Sequence, residues 1–309
     1  MKITLYPPLS IHEIGKRPNQ EDAISQWANR LFVLCDGMGG HEKGEVASQT
    51  ICQSLAKWFE EHINPAEPFT DEQLHEALEY AYTELDQYVN DSPKQMGTTL
   101  TLLYIHRTGA TAMHIGDSRI YHFRPSGGMM YQSRDHSLAF DLFQAGEINY
   151  KEMLNYPQKN IVTRAMMPGK DNCVRPDIIH ITDIEPDDYF YLCSDGMLEK
   201  MGNPEIISLL RADNLSDQEK IQRLRTATSQ HLDNRSAWLI HVKDVEHEES
   251  DNQLTNEEPT ARCNALNFIP RTDAEDDVDD VVVVKEIAKT KTLLQKMKSI
   301  VDIIMDKKN

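Results

Sequence analysis

Five aspartates in the first 233 residues stand where chemistry could use them: Asp22 after Glu21, Asp36 in Asp36-Gly37-Met38-Gly39-Gly40, Asp117 in Gly116-Asp117-Ser118-Arg119, Asp195 in Ser194-Asp195-Gly196, and Asp233 before Asn234. Carboxylates gathered in one place repel unless a hard divalent cation compensates them. Four of the five follow runs that read as buried strands or helix ends. A fold that brings strand ends together would therefore collect a multi-metal site of oxygen ligands, which points to an enzyme. Gly37 would let the backbone come close enough for its carbonyl to join the ligands. Arg17 precedes the acid pair Glu21-Asp22 and could grip a phosphate with two parallel N–H donors. Each motif also has a plain structural reading: a glycine turn at Asp36, an Asx turn at Asp233, a type I′ hairpin corner at Asp117, a surface ion pair for Arg17. The strand-Asp-Gly device occurs twice, in Leu34–Gly37 and Leu192–Gly196, which weakens those readings.

The elements that must position these residues are legible from periodicity. Leu31–Cys35 is a continuous apolar run, a buried strand ending at Asp36. Helices are expected over Glu45–His62 and Asp71–Asn90, the latter with Leu74, Ala77, Leu78, Ala81 and Leu85 at helical spacing. Thr98–His106, Ala110–Ile115, Arg119–Arg124 and Met129–Gln132 read as strands in a meander, and Ile178–Thr182, Tyr189–Ser194 and Ala237–Val242 as further strands. Ser216–Leu232 reads as a helix with Ser216 and Glu219 forming a capping box. This pattern predicts an α+β layered sandwich of mostly antiparallel sheets.

The chain has 309 residues and a formal charge of -18, which disfavours binding to phosphate backbones. No run of 18 apolar residues and no basic-then-apolar amino terminus occurs, so a soluble, cytoplasmic protein is expected. The five cysteines include no CxxC or CxxH spacing, and Cys35 and Cys193 fall inside apolar runs as buried thiols. Near residue 245 the composition changes. Between Glu246 and Asp280 there are twelve acidic side chains against Arg262 and Arg271, so 245–280 reads as a disordered linker. Within 281–309, Ile287, Leu294, Met297, Val301 and Ile304 form one apolar stripe flanked by lysines, an amphipathic helix that folds back, docks a partner or self-associates.

In order along residues 17–234 the chain shows R-x-x-x-E-D, D-G-M-G-G-H, G-T-T, G-D-S-R, D-H-S, S-D-G and D-N. This ordered set resembles the metal-dependent protein serine/threonine phosphatases (the type 2C, or PPM, family) in their short bacterial form, over about residues 10–243. The resemblance implies a β-sandwich of two mostly antiparallel sheets flanked by helix pairs, a four-layer αββα catalytic domain over 1–244 with a flap at about 137–175. It implies two Mn²⁺ or Mg²⁺ ions, with a third at a weaker site. Asp36 would bridge the two ions, the Gly37 carbonyl would ligate one, and Asp195 and Asp233 the other. Asp22 and Glu21 would hold the metals' water ligands, Asp117 would be shared with the third ion, and Arg17 would bind phosphate. A metal-activated water would then attack phosphoserine or phosphothreonine of proteins phosphorylated by a serine/threonine kinase, with no phosphoenzyme intermediate. Met38 stands where animal-type members carry a histidine. His41, three residues on, is the remaining histidine candidate for the general acid. Asp135, His136 and Arg164 read as structural residues near the flap. A pseudophosphatase that binds phosphoproteins without turnover is the alternative, and the intact positions Asp22, Asp36, Asp195 and Asp233 count against it. A different two-metal hydrolase such as a nuclease is disfavoured by the acidic charge.

Overall fold

A computed structural model of the chain describes residues 1–39, 43–88, 96–158, 161–169, 172–199 and 201–246. His41, the amphipathic stripe of 281–309 and the linker beyond residue 246 lie outside the described residues. Those described form two compact units, 1–137 with 162–246, and 138–161. No helix among them is long and apolar enough to cross a membrane.

The larger unit runs β1 (Lys2–Leu5), β2 (Leu9–Glu13), β3 (Asp22–Trp27), β4 (Leu31–Met38), α1 (Lys43–His62), α2 (Asp71–Asp86), β5 (Gly97–Thr98), β6 (Leu100–His106), β7 (Gly109–Ile115), β8 (Arg119–Arg124) and β9 (Gly128–Gln132). After the helices α3 (Leu138–Gln144) and α4 (Tyr150–Leu154) of the smaller unit, it resumes with β10 (Asp177–Ile181), β11 (Tyr189–Cys193), α5 (Asn203–Leu210), α6 (Asp217–Ala227) and β12 (Arg235–Glu246). One sheet has the order β1-β12-β11-β8-β9, with β2 also on β12; the other is β10-β7-β6-β4-β3, with β5 on β4. Every strand pair is antiparallel.

Period-two alternation explains why the strands read as unbroken apolar runs. On β4, Phe32 and Leu34 enter the core between the sheets with Phe190, Leu192, Trp238 and Ile240. The alternate residues Leu31, Val33 and Cys35 pack against α1 and α2, through Ile51, Leu55, Phe59, Leu74 and Leu85. On β11, Tyr189, Tyr191 and Cys193 turn the other way, toward Ile206 and Leu210 of α5 and Ile221 and Leu224 of α6. Each central strand is buried on both faces, and the layers stack helices, sheet, sheet, helices. Ser216 caps α6 as expected, accepting from the Glu219 amide at 3.3 Å while the Glu219 carboxylate returns to the Ser216 amide at 2.9 Å.

Several expectations are corrected. Strand β4 does not stop at Asp36: Gly37 and Met38 continue it by pairing with Thr98 and Gly97. The meander holds for β6–β7 and β8–β9, but β7 and β8 belong to different sheets. Gly116–Ser118 is therefore a crossing between sheets and not a hairpin corner. The helix expected through Leu232 ends at Ala227, where the Thr228 hydroxyl donates to the Leu224 carbonyl at 2.9 Å. The helix expected to Asn90 ends at Asp86. The amino-terminal strands and α5 were not anticipated, because β1 and β2 are half-buried edges and α5 is short and opens on Pro204. Strand β12 reaches Glu246 opposite Lys2, just past the 244/245 boundary expected for the linker. The smaller unit, with α4 capped by a reciprocal Asn149–Glu152 box, lies within the stretch expected as a flap, while residues 162–169 and 172–175 belong to the larger unit, where Val162 bridges to Ser137 and Met166 to Thr98.

Candidate metal centre

The pleat that sends Phe32 and Leu34 between the sheets sends Asp36 there too. Directly across the β3–β4 ladder stands Asp22, two residues before Ile24, which packs on the same inter-sheet core. At this end of the sandwich the apolar pairs give way to a like-charged pair, which costs stability unless something compensates it. The opposite sheet answers with Ser194 and Asp195 at the end of β11 and with Asp233 just before β12. The β7-to-β8 crossing adds Asp117.

Electrostatics show these five carboxylates to be one cluster. Burial, then Asp22, Asp195, Asp117 and Asp233, push the Asp36 carboxyl well above the usual range. Burial raises Asp22 to about 7, with Asp195 and Asp233 adding to it and the Ser236 and Ser194 hydroxyls opposing. Asp195 is raised to about 6 by burial and then by Asp233. Asp117 is raised by burial, Asp195 and Asp135. Asp22 Oδ1 is buried and has no hydrogen-bond partner among the described residues, while Oδ2 accepts from Ser194 Oγ at 2.9 Å. An orphaned carboxylate oxygen, carboxyls driven toward protonation by one another, and an all-oxygen donor set suit a hard divalent cation.

Glycine is required where β4 meets α1. A Cβ at Gly37 would lie 2.2 Å from the Gly44 carbonyl oxygen and 2.5 Å from that of Glu21. Glu21 enters through its backbone: its amide donates to Asn234 Oδ1 at 2.7 Å, and its carbonyl accepts from the Gly37 amide at 3.0 Å and from Ser48 Oγ at 2.5 Å. Arg17, more than half exposed, donates from Nε and Nη2 to the two carboxylate oxygens of Asp233 at 2.8 and 2.6 Å. It thus meets another site residue instead of standing alone.

Supporting residues surround the cluster; the role of Asn234 escaped the sequence reading, while Asp135 and His136 read as structural residues from sequence. Thr99 Oγ1 accepts from the Asp36 amide at 2.9 Å and contacts Ser118 Oγ at 2.8 Å; its place in the G-T-T motif was the available signal. Asn234 ties three segments, since its Nδ2 also donates to the Ile14 and Asn19 carbonyls at 2.8 and 3.0 Å. Asp135 holds Arg119 through a two-pronged ion pair at 2.7 and 2.6 Å. His136 clasps the crossing: the Gly116 amide donates to its Nδ1 at 3.0 Å, and its own amide donates to the Gly116 carbonyl at 2.9 Å.

His114, His136 and Asp177 also bring ligand-type atoms within 4.8 Å of one another. The Gly116 amide donates to His136 Nδ1, and His136 Nε2 lies 3.3 Å from Asp177 Oδ2 and 3.2 Å from Arg164 Nη1. Arg164 Nη1 adds a donor to Asp177 Oδ1 at 3.0 Å. Asp177 and Arg164 thus engage His136 Nε2 from within the protein, which makes the trio a structural clasp.

Comparison with known proteins follows the same outline. A family model described as Protein phosphatase 2C matches residues 11–244. A putative protein phosphatase 2C-type of Streptococcus pyogenes is 32% identical over 244 residues, covering 76% of this chain and 97% of the relative. Protein phosphatase PhpP of Streptococcus pneumoniae is 32% identical over 241 residues, 75% of this chain and 96% of its own. The solved catalytic domain of the serine/threonine protein phosphatase PstP, in complex with two manganese ions, superposes with a TM-score of 0.64 at 28% identity, over 78% of this chain and 99% of that one.

Proposed function

The chain belongs to the protein phosphatase 2C family, the metal-dependent serine/threonine protein phosphatases, and we propose that its carboxylate cluster hydrolyses phosphoserine and phosphothreonine in proteins without a phosphoenzyme intermediate. One observation carries this location: Asp22, Asp36, Asp117, Asp195 and Asp233 converge from separate elements of both sheets, with a buried carboxylate oxygen left unpartnered.

The family's cofactors are Mn²⁺ or Mg²⁺. Asp36 and the Gly37 carbonyl, with Asp195 and Asp233, would hold two ions; Asp22 and Glu21 would order the surrounding water, and Asp117 would serve a third ion. When bound, such a pair supplies Lewis acidity that makes water a nucleophile near neutral pH and offsets charge on phosphoryl oxygens. The protein's own groups do the rest. Arg17, at the exposed rim, has the planar donors to orient a phosphate. Ser118 and Ser194 are buried and engaged with Thr99 and Asp22, and burial raises the Cys35 and Cys193 thiols, which supports water as the attacking group. The leaving alkoxide takes its proton from His41 or from water. Dependence of the His41→Ala variant on leaving-group pKa separates the two.

For the remainder of the chain we propose a cytoplasmic catalytic domain, a linker to residue 280 and a helix over 281–309 that docks a partner or self-associates. The substrates would be phosphoproteins made by a serine/threonine kinase. Phosphate release from a phosphothreonine peptide tests the function: excess chelator should abolish it and Mn²⁺ should restore it. Full turnover in chelator refutes the metal centre.

A further inference from the structure

Asp233 sits on a stretch, 228–234, that belongs to no helix or strand, yet it must face Asp195 with little freedom. What holds it is a reciprocal set of contacts with the turn after Asp195. Glu199 accepts from two consecutive amides, Leu232 N to Oε2 at 2.8 Å and Asp233 N to Oε1 at 3.1 Å. In return the buried His231 donates from Nδ1 to the Gly196 carbonyl at 2.6 Å. Between these ties the backbones touch: a Cβ at Gly196 would lie 1.9 Å from the Asn234 carbonyl oxygen and 3.2 Å from Asp233 Cβ. From the far side, the Lys16 amide donates to the Leu232 carbonyl at 3.1 Å.

We propose that Glu199 is a positioning residue, whose carboxylate clamps the Leu232 and Asp233 amides so that Asp195 and Asp233 are held at the separation a divalent cation needs. This rests on the metal-centre reading above. A carboxylate bridging two amides is the acceptor geometry for which Glu is suited and Gln is not, since a carboxamide offers one oxygen and turns N–H donors toward the second amide. Partners that orient metal ligands typically change affinity by roughly 10–100-fold when altered.

Calorimetric titration of the metal-free full-length protein with Mn²⁺ tests the proposal. Glu199→Gln and Glu199→Asp should each raise the Mn²⁺ dissociation constant by about tenfold or more, while KM for a phosphothreonine peptide at saturating Mn²⁺ stays at the wild-type value. The shortened Glu199→Asp keeps the charge but loses the two-amide reach. If it binds Mn²⁺ like wild type while Glu199→Gln does not, charge alone acts and the clamp is refuted. Ser216→Ala, which removes the remote cap of α6, controls for simple destabilisation: it should lower the melting temperature without moving Mn²⁺ affinity. An equal loss of affinity in that control refutes the clamp. Unchanged affinity in both Glu199 variants refutes the clamp alone, whereas no Mn²⁺ binding by the wild type refutes the metal centre and the clamp with it.

Discussion

Asp22 and Asp36 face each other across one ladder position, and the protein tolerates this repulsion only at the place where a cation can offset it. Replacing Asp36 by Ala should leave the fold in place, because the strand pairs through its backbone, but should reduce turnover by orders of magnitude and lower Mn²⁺ stoichiometry in calorimetry. Arg17→Ala should instead act mainly on KM for the phosphopeptide. Near wild-type turnover with full Mn²⁺ stoichiometry in Asp36→Ala would contradict the assignment. Burial, with neighbouring carboxylates adding to it, also makes the cluster of the metal-free protein sensitive to pH. Asp22 and Asp195 titrate near about 3.9 when unfolded but are raised to about 7 and about 6 when folded. Between those limits these two carboxyls bind more protons in the folded state, so their contribution to stability falls as pH rises from about 4 to about 7. Asp177, drawn down chiefly by its hydrogen bond with His136, contributes fully from about pH 4 upward, whereas His106 and His114, lowered to about 4 chiefly by burial, stabilise increasingly as pH rises through the same window. The acid cluster's share shows as a difference: the metal-free protein should lose melting temperature relative to the Mn²⁺-bound protein between pH 5 and pH 8. A gap between the two forms that does not widen from pH 5 to pH 8 would contradict the prediction.

At the scale of elements, β4 does two jobs with one pleat. Its odd residues anchor α1, and its even ones run from core leucine and phenylalanine into Asp36. Gly37 is where both demands meet, because the strand and the first turn of α1 are in backbone contact there. Gly37→Ala should cost about 1–3 kcal/mol or more, the usual penalty for overpacking a rigid contact, read by urea denaturation of the metal-free protein. The same variant should bind Mn²⁺ more weakly, since relief of the clash must move Asp36 or Glu21. An alanine variant with unaltered stability would mean that the strand and helix can part without cost.

For the whole molecule, the matched residues 11–244 and every carboxylate of the cluster precede the acidic stretch. A chain cut after Glu246 should hydrolyse a phosphothreonine peptide at the full-length rate. A cut at Asp244 removes Val245 and Glu246 from their pairing with Ile3 and Lys2, so it should melt slightly lower. The full chain should differ from the 1–246 form in self-association or in retention of a protein partner, measured by sedimentation and by pull-down. Loss of peptide hydrolysis on cutting after Glu246 would make the tail part of the catalytic unit.

Residue types and order along the chain sufficed to name the candidate acids and Gly37, the cap of α6 and the burial of the central strands, because each depends on contacts a few residues apart or on the run of residue types. What the chain order did not reveal is which elements meet. That β7 and β8 part into different sheets, so that Asp117 crosses toward Asp195, depends on how two sheets pack. That Arg17 pairs with Asp233, Asn234 with Glu21, and Glu199 with the amides before β12 depends on segments more than thirty residues apart meeting at one end of the sandwich. Sequence spacing carries no signal for such contacts. Burial of apolar faces aligns the strands, and only that alignment brings the carboxylates within range of one another.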